Sequence, residues 1–260
     1  LIFMKKTLIA LAVAASAAVS GSAMAWEHGG APSQTVNIGG TFKVGTVSVS
    51  PWEVSVGNGR LDFQTPVNPG TKNFDVVLEH AVPVLGIRNT STAHFMGQAG
   101  INPQVTLGGV DTKNASNSVA TFWGQVRGKD GTVIGDVQGP VFIGGEVSWS
   151  GSNGDYVKAL NADTAGQAFF GGLPATSSQV ASNVHSRVAA MNPEYVNKFT
   201  AFSDNRQSAS PETFSKADYK YRAYYGEEKK KGATLKVTLK AVLDKDTAWS
   251  IGIPVTVSYM

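Results

Sequence analysis

The side chains able to carry acid–base, nucleophilic or metal chemistry in this 260-residue chain are scattered. Histidines stand at 28, 80, 94 and 185 without HExxH or any other ligand spacing, and there is no GxSxG nucleophile elbow. Cysteine is absent, which excludes zinc-thiolate sites, a redox CxxC and a disulfide framework. Gly128-Lys129 superficially resembles a phosphate loop, but Gly124 is too close for GxxxxGK and Asp130 stands where Ser or Thr would hold magnesium. Glu227 and Glu228 would point apart on a strand, and no cleft can be read around Asp244 and Asp246. The expectation is therefore a non-enzymatic protein with no cofactor and no metal. Asn89-Thr90-Ser91 and Asn114-Ala115-Ser116 match the glycosylation sequon and read as loops.

The elements around these residues are mostly strands. With 42% hydrophobic residues, 16% charged, 29 Gly and 11 Pro, the chain has the composition of one globular domain with many turns. Short alternating segments at 35–38, 46–56, 73–78, 104–107, 118–127, 132–137 and 141–149 are spaced as in a sandwich or barrel. Asp130-Gly131 between two of them predicts a tight hairpin with positive-φ residues. After Gly151 the period changes: Val180, Val184, Val188 and Met191 form one helical stripe. Asn192 as N-cap and Pro193 then open a second stripe of Val196, Phe199 and Phe202. The chain ends in its plainest alternation, with Trp249, Ile251, Ile253, Val255, Val257 and Tyr259 on one face. Between Lys216 and Lys245 nine basic residues face four acids. At their centre Glu227-Glu228-Lys229-Lys230-Lys231-Gly232 reads as a solvated turn, or as a patch for acidic surface sugars.

Lys5-Lys6, an apolar run from Thr7 to Val19 and small residues at Ala23 and Ala25 read as a secretory signal, with Leu1-Ile2-Phe3 as upstream sequence before Met4. Cleavage after Ala25 would leave 20 Lys and Arg against 19 acids, so the precursor's net charge of +3 falls to +1. A nucleic-acid role loses its main support. A secreted fold without cysteine must then be held by packing or by a partner.

The stretch 26–40 is a weak beginning for a β domain. Trp26 to Pro32 has no reason to be ordered alone, yet Thr35 to Phe42 alternates well enough to pair with an edge strand, its own or a neighbour's. Four or five buried apolar side chains at ~1.5–3 kcal/mol each would contribute about 6–15 kcal/mol before entropic costs. That is comparable to the whole stability of a typical domain.

Lys5 to Ala12, a mature start at Trp26, Val36-Asn37-Ile38-Gly39-Gly40, Trp52-Glu53-Val54, Phe169-Phe170-Gly171-Gly172-Leu173 and the ending from Trp249 to Tyr259 lie in the order found in a known family. Together they resemble the K-88-type (kappa-class) chaperone/usher fimbrial subunits of enteric bacteria, over nearly the whole chain. The resemblance implies an incomplete immunoglobulin-like sandwich over 41–260, with a small helical insertion at about 151–213. Its missing strand would come from a periplasmic chaperone and then, at an outer-membrane usher, from the 26–40 extension of the next subunit. Val36, Ile38 and Phe42 are then donor-strand residues, and Ile251, Ile253, Val255, Val257 and Tyr259 form the C-terminal chaperone-pairing strand. Thr247 departs from the glycine usual in pilins, and Pro254 removes one backbone donor. In this family the major subunit binds host glycoconjugates through the inserted region, where Tyr156 offers a ring and Lys158 a polar head. The implied location is a fimbrium on the cell surface, reached through the periplasm.

Two rival readings share the signal and the strands. An outer-membrane β-barrel is opposed by the helical stripes and by the final Met260, where barrels usually carry an aromatic. A free-standing periplasmic binding module would need no donated strand, so it would tolerate loss of residues 26–40.

Overall fold

A computed structural model describes residues 50–59 and 62–260, and the backbone of 27–28 and 33–37. The proposed signal, Ile38, Phe42 and the expected strand positions 46–49 lie outside the described residues. The strands run β1 (Glu27–His28), β2 (Ser33–Asn37), β3 (Trp52–Val56), β4 (Asn73–Val77) and β5 (Val82–Asn89). They continue as β6 (Phe95–Met96), β7 (Pro103–Leu107), β8 (Val110–Ser116), β9 (Val119–Gly128), β10 (Val133–Gly151) and β11 (Gly154–Ala159). After the only α-helix among the described residues, α1 (Val184–Met191), come β12 (Lys220–Lys229), β13 (Thr234–Leu239), β14 (Trp249–Ser250) and β15 (Gly252–Tyr259). The chain is mostly β, and its antiparallel sheets do not close on themselves, an arrangement consistent with an immunoglobulin-like sandwich. Among the described residues no helix is long and apolar enough to cross a membrane.

The 19-residue β10 organises the sheets. The sequence predicts two strands here; the structure has one, because different neighbours take its two halves. Residues 133–142 pair with β9 and 135–138 with β13, whereas 142–150 pair with β12 and 146–151 with β11. Pro140, which has no N–H to give, sits in the gap between the β13 and β12 blocks. The β9–β10 hairpin forms as expected, but with one positive-φ residue, Gly131 at +82°, and not two. The Asp130 side chain accepts from the Thr132 N–H instead, which shapes the turn without a left-handed Asp.

The main core lies between the layers around Trp52. Its ring meets Phe95, Phe169 and Phe214 at centroid distances of 5.0, 5.6 and 5.2 Å, and its indole N–H donates to the Ile101 carbonyl at 2.6 Å. A second cluster covers the other face of the β5–β12–β10 sheet, where Gly86, Gly226 and Gly144 stand side by side across three strands. A methyl group on Gly86 would lie 2.0 Å from the Tyr195 ring, and one on Gly226 would lie 2.7 Å from Val188. The glycine row is thus a trough in which Val188 of α1 and Tyr195 rest.

The first helical stripe is α1 from Val184 on, whereas Val180 is extended at the end of the 3₁₀ turn Ser177–Gln179; Asn192 and Pro193 do start a turn, and the Asn192 side chain accepts from the Glu194 N–H at 3.0 Å. The second stripe ends after the single 3₁₀ turn Pro193–Tyr195. Its next polar side chains serve tertiary contacts: Asn197 accepts from Arg88 at 2.7 Å, and Lys198 binds Glu53 at 2.8 Å.

Candidate functional site

The C-terminal strand is the element whose pattern the sequence displays best. Ile251, Ile253, Val255 and Val257 are all buried, and Pro254 and Ser258 face out. The run divides at Ile251 because β14 pairs with the end of β9, whereas β15 pairs with β7. Tyr259 is half-buried; burial pushes its phenol up to about 12, opposed by a hydrogen bond with Ser50.

β15 lies between β7 and β2. Its antiparallel register on β2 sets Ile253 opposite Val36, Val255 opposite Gln34 and Thr256 opposite Ser33. The direction of its backbone groups follows from two bonds. Gly108 N–H donates to the Pro254 carbonyl at 2.7 Å, and Asn102 N–H to the Met260 carbonyl at 3.0 Å, so the even-numbered residues point toward the β7 side. The odd-numbered residues therefore present their N–H and C=O groups to β2. The donor that Pro254 lacks falls on the β7 side, beside Gly108, where a methyl group would come within 2.6 Å of the proline ring. Pro254 leaves the β2-facing edge intact. The extension touches a second edge as well: β1 pairs with β3, Glu27 opposite Val54 and His28 opposite Glu53.

Two apolar hollows share Trp249 in their walls. Leu78, Val84, Leu235, Ile251 and Ile253 line one of them, together with Lys229. That lysine belongs to the run expected as a solvated turn, and this expectation is corrected. Glu227, Glu228 and Lys229 are buried within β12, at 0%, 2% and 2% exposure, because β5 and β10 flank the strand to its end. The turn itself is Lys230 to Gly232, with Gly232 at φ +81°. Burial raises the Glu227 carboxyl to about 8 and the Glu228 carboxyl to about 7, and lowers the Lys229 ammonium to about 8. Lys229 Nζ rests 4.2 Å from the centre of the Phe122 ring.

Tyr156 and Lys158 lie two residues apart on β11, directly across from Trp149 and Val147. The Tyr156 ring stacks on Trp149 at 5.3 Å and 29°, and its hydroxyl donates to the Asn153 carbonyl at 2.6 Å. Lys158 is buried; its ammonium lies 5.0 Å from the Trp149 ring, 2.8 Å from the Pro211 carbonyl and 3.1 Å from Glu212. The structure brings the two residues together through Trp149, which sequence reasoning passed over. Its place two residues from the β10–β11 turn was the available signal. Among the described residues no group of His, Asp and Glu is placed to hold a metal.

An open antiparallel sandwich with an N-terminal strand laid along its last strand is the architecture of a structural module built from strand pairing. A family model described as fimbrial, major and minor subunit, of the K88 type, matches residues 4–260, and the chain belongs to that family of structural subunits. It is 32% identical to K88 fimbrial protein AC of Escherichia coli over 191 residues, 66% of this chain and 65% of that protein. It is likewise 32% identical to K88 fimbrial protein AB of Escherichia coli over 210 residues, 72% of this chain and 70% of that protein. The match thus spans just under two thirds of the AC protein's length.

Proposed function

We propose that this chain is a building block of a surface fimbrium and joins its neighbours by donating its N-terminal strand. Family membership supports the fimbrial part of this reading. The observation that carries the joining step is the antiparallel seat of Ser33–Asn37 on the edge of β15. A neighbour's extension would take the same seat, with Val36, Ile38 and Phe42 turned toward the hollows beneath Ile251 and Ile253. Before assembly a periplasmic chaperone would cover this edge and deliver the subunit to an outer-membrane usher.

Adhesion to host glycans would use the β10–β11 hairpin. With Lys158 committed to Pro211 and Glu212, the ring pair of Trp149 and Tyr156 is the part able to stack on a pyranose. Deleting residues 26–40 tests assembly: heat-dissociable ladders and filaments seen by electron microscopy vanish, while the subunit still folds with its chaperone. A stable monomer indifferent to both deletion and chaperone overturns the reading. For adhesion, Tyr156→Ala lowers glycan or cell binding at least tenfold with assembly unchanged; binding that persists removes the hairpin from consideration.

A further inference from the structure

We infer that the outer face of the β9–β10–β13–β4 sheet is a saccharide-binding surface of its own, built on Trp123 and suited to a neutral, extended, β-linked oligosaccharide lying across the strands. It is separate from the β10–β11 hairpin. Gln138 in its middle and Trp149 of the hairpin stand eleven residues apart on β10, up to about 36 Å at the rise of a strand. Binding here requires neither the hairpin nor strand donation.

Alternation along these strands separates two faces. Phe122, Val126, Val137, Val237 and Val76 point inward and are buried, so the sheet has a packed backing. On the outer face the register lines residues up in rows. Trp123 stands opposite Gln138, Gln138 opposite Lys236, and Lys236 opposite Asp75. The next row is Gln125, Asp136, Thr238 and Asn73. All of these are exposed, Trp123 by 49%, whereas Trp52 is buried and Trp149 and Trp249 are half-buried. The Trp123 backbone is held in place: its N–H donates to the Gly109 carbonyl at 2.8 Å. Gly109, at φ +77°, has no side chain where a methyl group would lie 2.0 Å from the Trp123 carbonyl.

Three observations select a neutral saccharide. First, the ring is unspent. Among the described residues Trp123 has no ring or cation against it and no acceptor for its indole N–H, whereas Trp149 is already stacked on Tyr156. Second, Gln138, Lys236, Asp75, Asp136, Thr238 and Asn73 make no side-chain hydrogen bond or ion pair among the described residues, so their ends can exchange water for hydroxyls. Only at the border does Arg127 donate to Gln125, at 2.9 Å. Third, charge and apolar area argue against the other classes of partner. Asp75 and Asp136 balance Lys236 and Arg127, which leaves no field to hold an anionic polymer. Trp123 and Val77 are the large apolar residues exposed on this face. They lie on the first and last of the four strands, about 14 Å apart across the sheet, too dispersed for the apolar core of a protein interface.

The C–H face of a pyranose is apolar and slightly positive, and it lies on the negative face of the indole. The following units run over Gln138, Lys236 and Asp75, whose backbones succeed one another at about 4.8 Å intervals. Gln138 donates and accepts, Lys236 only donates and Asp75 only accepts, so hydroxyls are met in either sense. A β-linked chain is extended and sets its rings along one line, as the row requires.

Cellotetraose, chitotetraose and a β-linked galactotetraose are titrated into the full chain secreted to the periplasm, followed by calorimetry and tryptophan fluorescence. At least one binds saturably and shifts the emission of the exposed indole to the blue. Trp123→Ala weakens that binding roughly tenfold or more, as for a truncated aromatic anchor, and Trp123→Phe recovers part of it. Gln138→Ala costs roughly two- to tenfold, one hydrogen bond. The unfolding midpoints of these variants stay at the wild-type value, because both side chains lie outside the core. Met96→Ala, an exposed apolar change on β6, leaves binding unchanged. No binding of any of the three saccharides overturns the inference. Binding that survives Trp123→Ala but falls with Tyr156→Ala places the saccharide on the hairpin and overturns it too. Preference for heparin, lost in salt, overturns the neutral class. Loss of self-association in Trp123→Ala, with saccharide binding intact, makes the face a contact between copies and likewise overturns it.

Discussion

The aromatic part of β12 and its charged end are both buried and chemically opposite. At one end Tyr221 and Tyr225 join the rings around Trp52, with Phe95, Phe169 and Phe214 between them. At the other, Glu227 and Lys229 point into the same interlayer space, and Glu228 lies under Tyr195 on the opposite face. What buries both is position: β12 lies between β10 and, from Tyr224 on, β5, with β6 beside its start, and from Ala223 onward every residue of it is buried. The aromatic end converts that loss into apolar contact. The charged end meets it by shifting protonation: at pH 7 the Glu227 carboxyl is mostly protonated and the Glu228 carboxyl about half so, while Lys229, though lowered, keeps its proton.

The largest expected effect comes from removing the ring at the centre of the aromatic end. Trp52→Ala leaves a cavity among three phenylalanines and an orphaned Ile101 carbonyl. A loss of about 3–5 kcal/mol is expected, measured by denaturant unfolding. A loss below about 1 kcal/mol would show that the core collapses around the gap and that the two ends contribute alike.

At the charged end the effect is one of pH. The folded-state values of Glu227 and Glu228, about 8 and 7, lie above the ordinary glutamate value of 4.5. Between pH 4.5 and 8 the folded protein therefore holds protons that the unfolded chain has released, and their contribution to stability falls as pH rises through that window. Lys229, lowered from 10.5 to about 8, acts in the opposite sense: its contribution recovers between pH 8 and 10.5. Unfolding free energy is thus expected to dip near pH 8, by on the order of a few kcal/mol relative to pH 5. Glu227→Gln should flatten the acid limb. A profile unchanged by that substitution would show that water reaches this end.

How much of this was legible from the sequence differs between the ends and tracks the physics. The β15 alternation and the β9–β10 hairpin are local patterns, and the structure keeps them. The buried Glu-Glu-Lys run carries a surface composition, and its burial comes from two strands about 85 and 145 residues away in sequence. No local period reports that. The same holds for the candidate sites. Tyr156 and Lys158 are visible as residue types, but Trp149 and Glu212, which fix their geometry, come from pairing and from a distant loop. The break in the second helical stripe is tertiary too: Asn197 and Lys198 are drawn to Arg88 and Glu53.

Between the two ends Gly226 faces Gly86 on β5. Gly86→Ala places a methyl group 2.0 Å from the buried Tyr195 ring, and neither the sheet nor the ring has free space beside it. Overpacking of this kind costs about 1–3 kcal/mol. The change should also loosen α1, readable as faster amide exchange at Val188. Unchanged exchange there would mean that the helical cover is held by its own contacts and not by the trough.

The smallest effect sharpens that last point. Asn192 caps the turn that carries Tyr195 into the trough, and its side chain accepts from the Glu194 N–H. Asn192→Ala removes this cap for about 1 kcal/mol. Tyr195 itself is buried and raised well above the usual tyrosine range, first by burial and then by the nearby Glu228 and Glu227. If the turn relaxes and admits water to Tyr195, Glu228 on the same face is partly resolvated and the dip near pH 8 becomes shallower. A loss of stability with the pH profile intact would instead separate the cover from the charged end, leaving the burial of Glu227 and Lys229 to the two flanking strands alone.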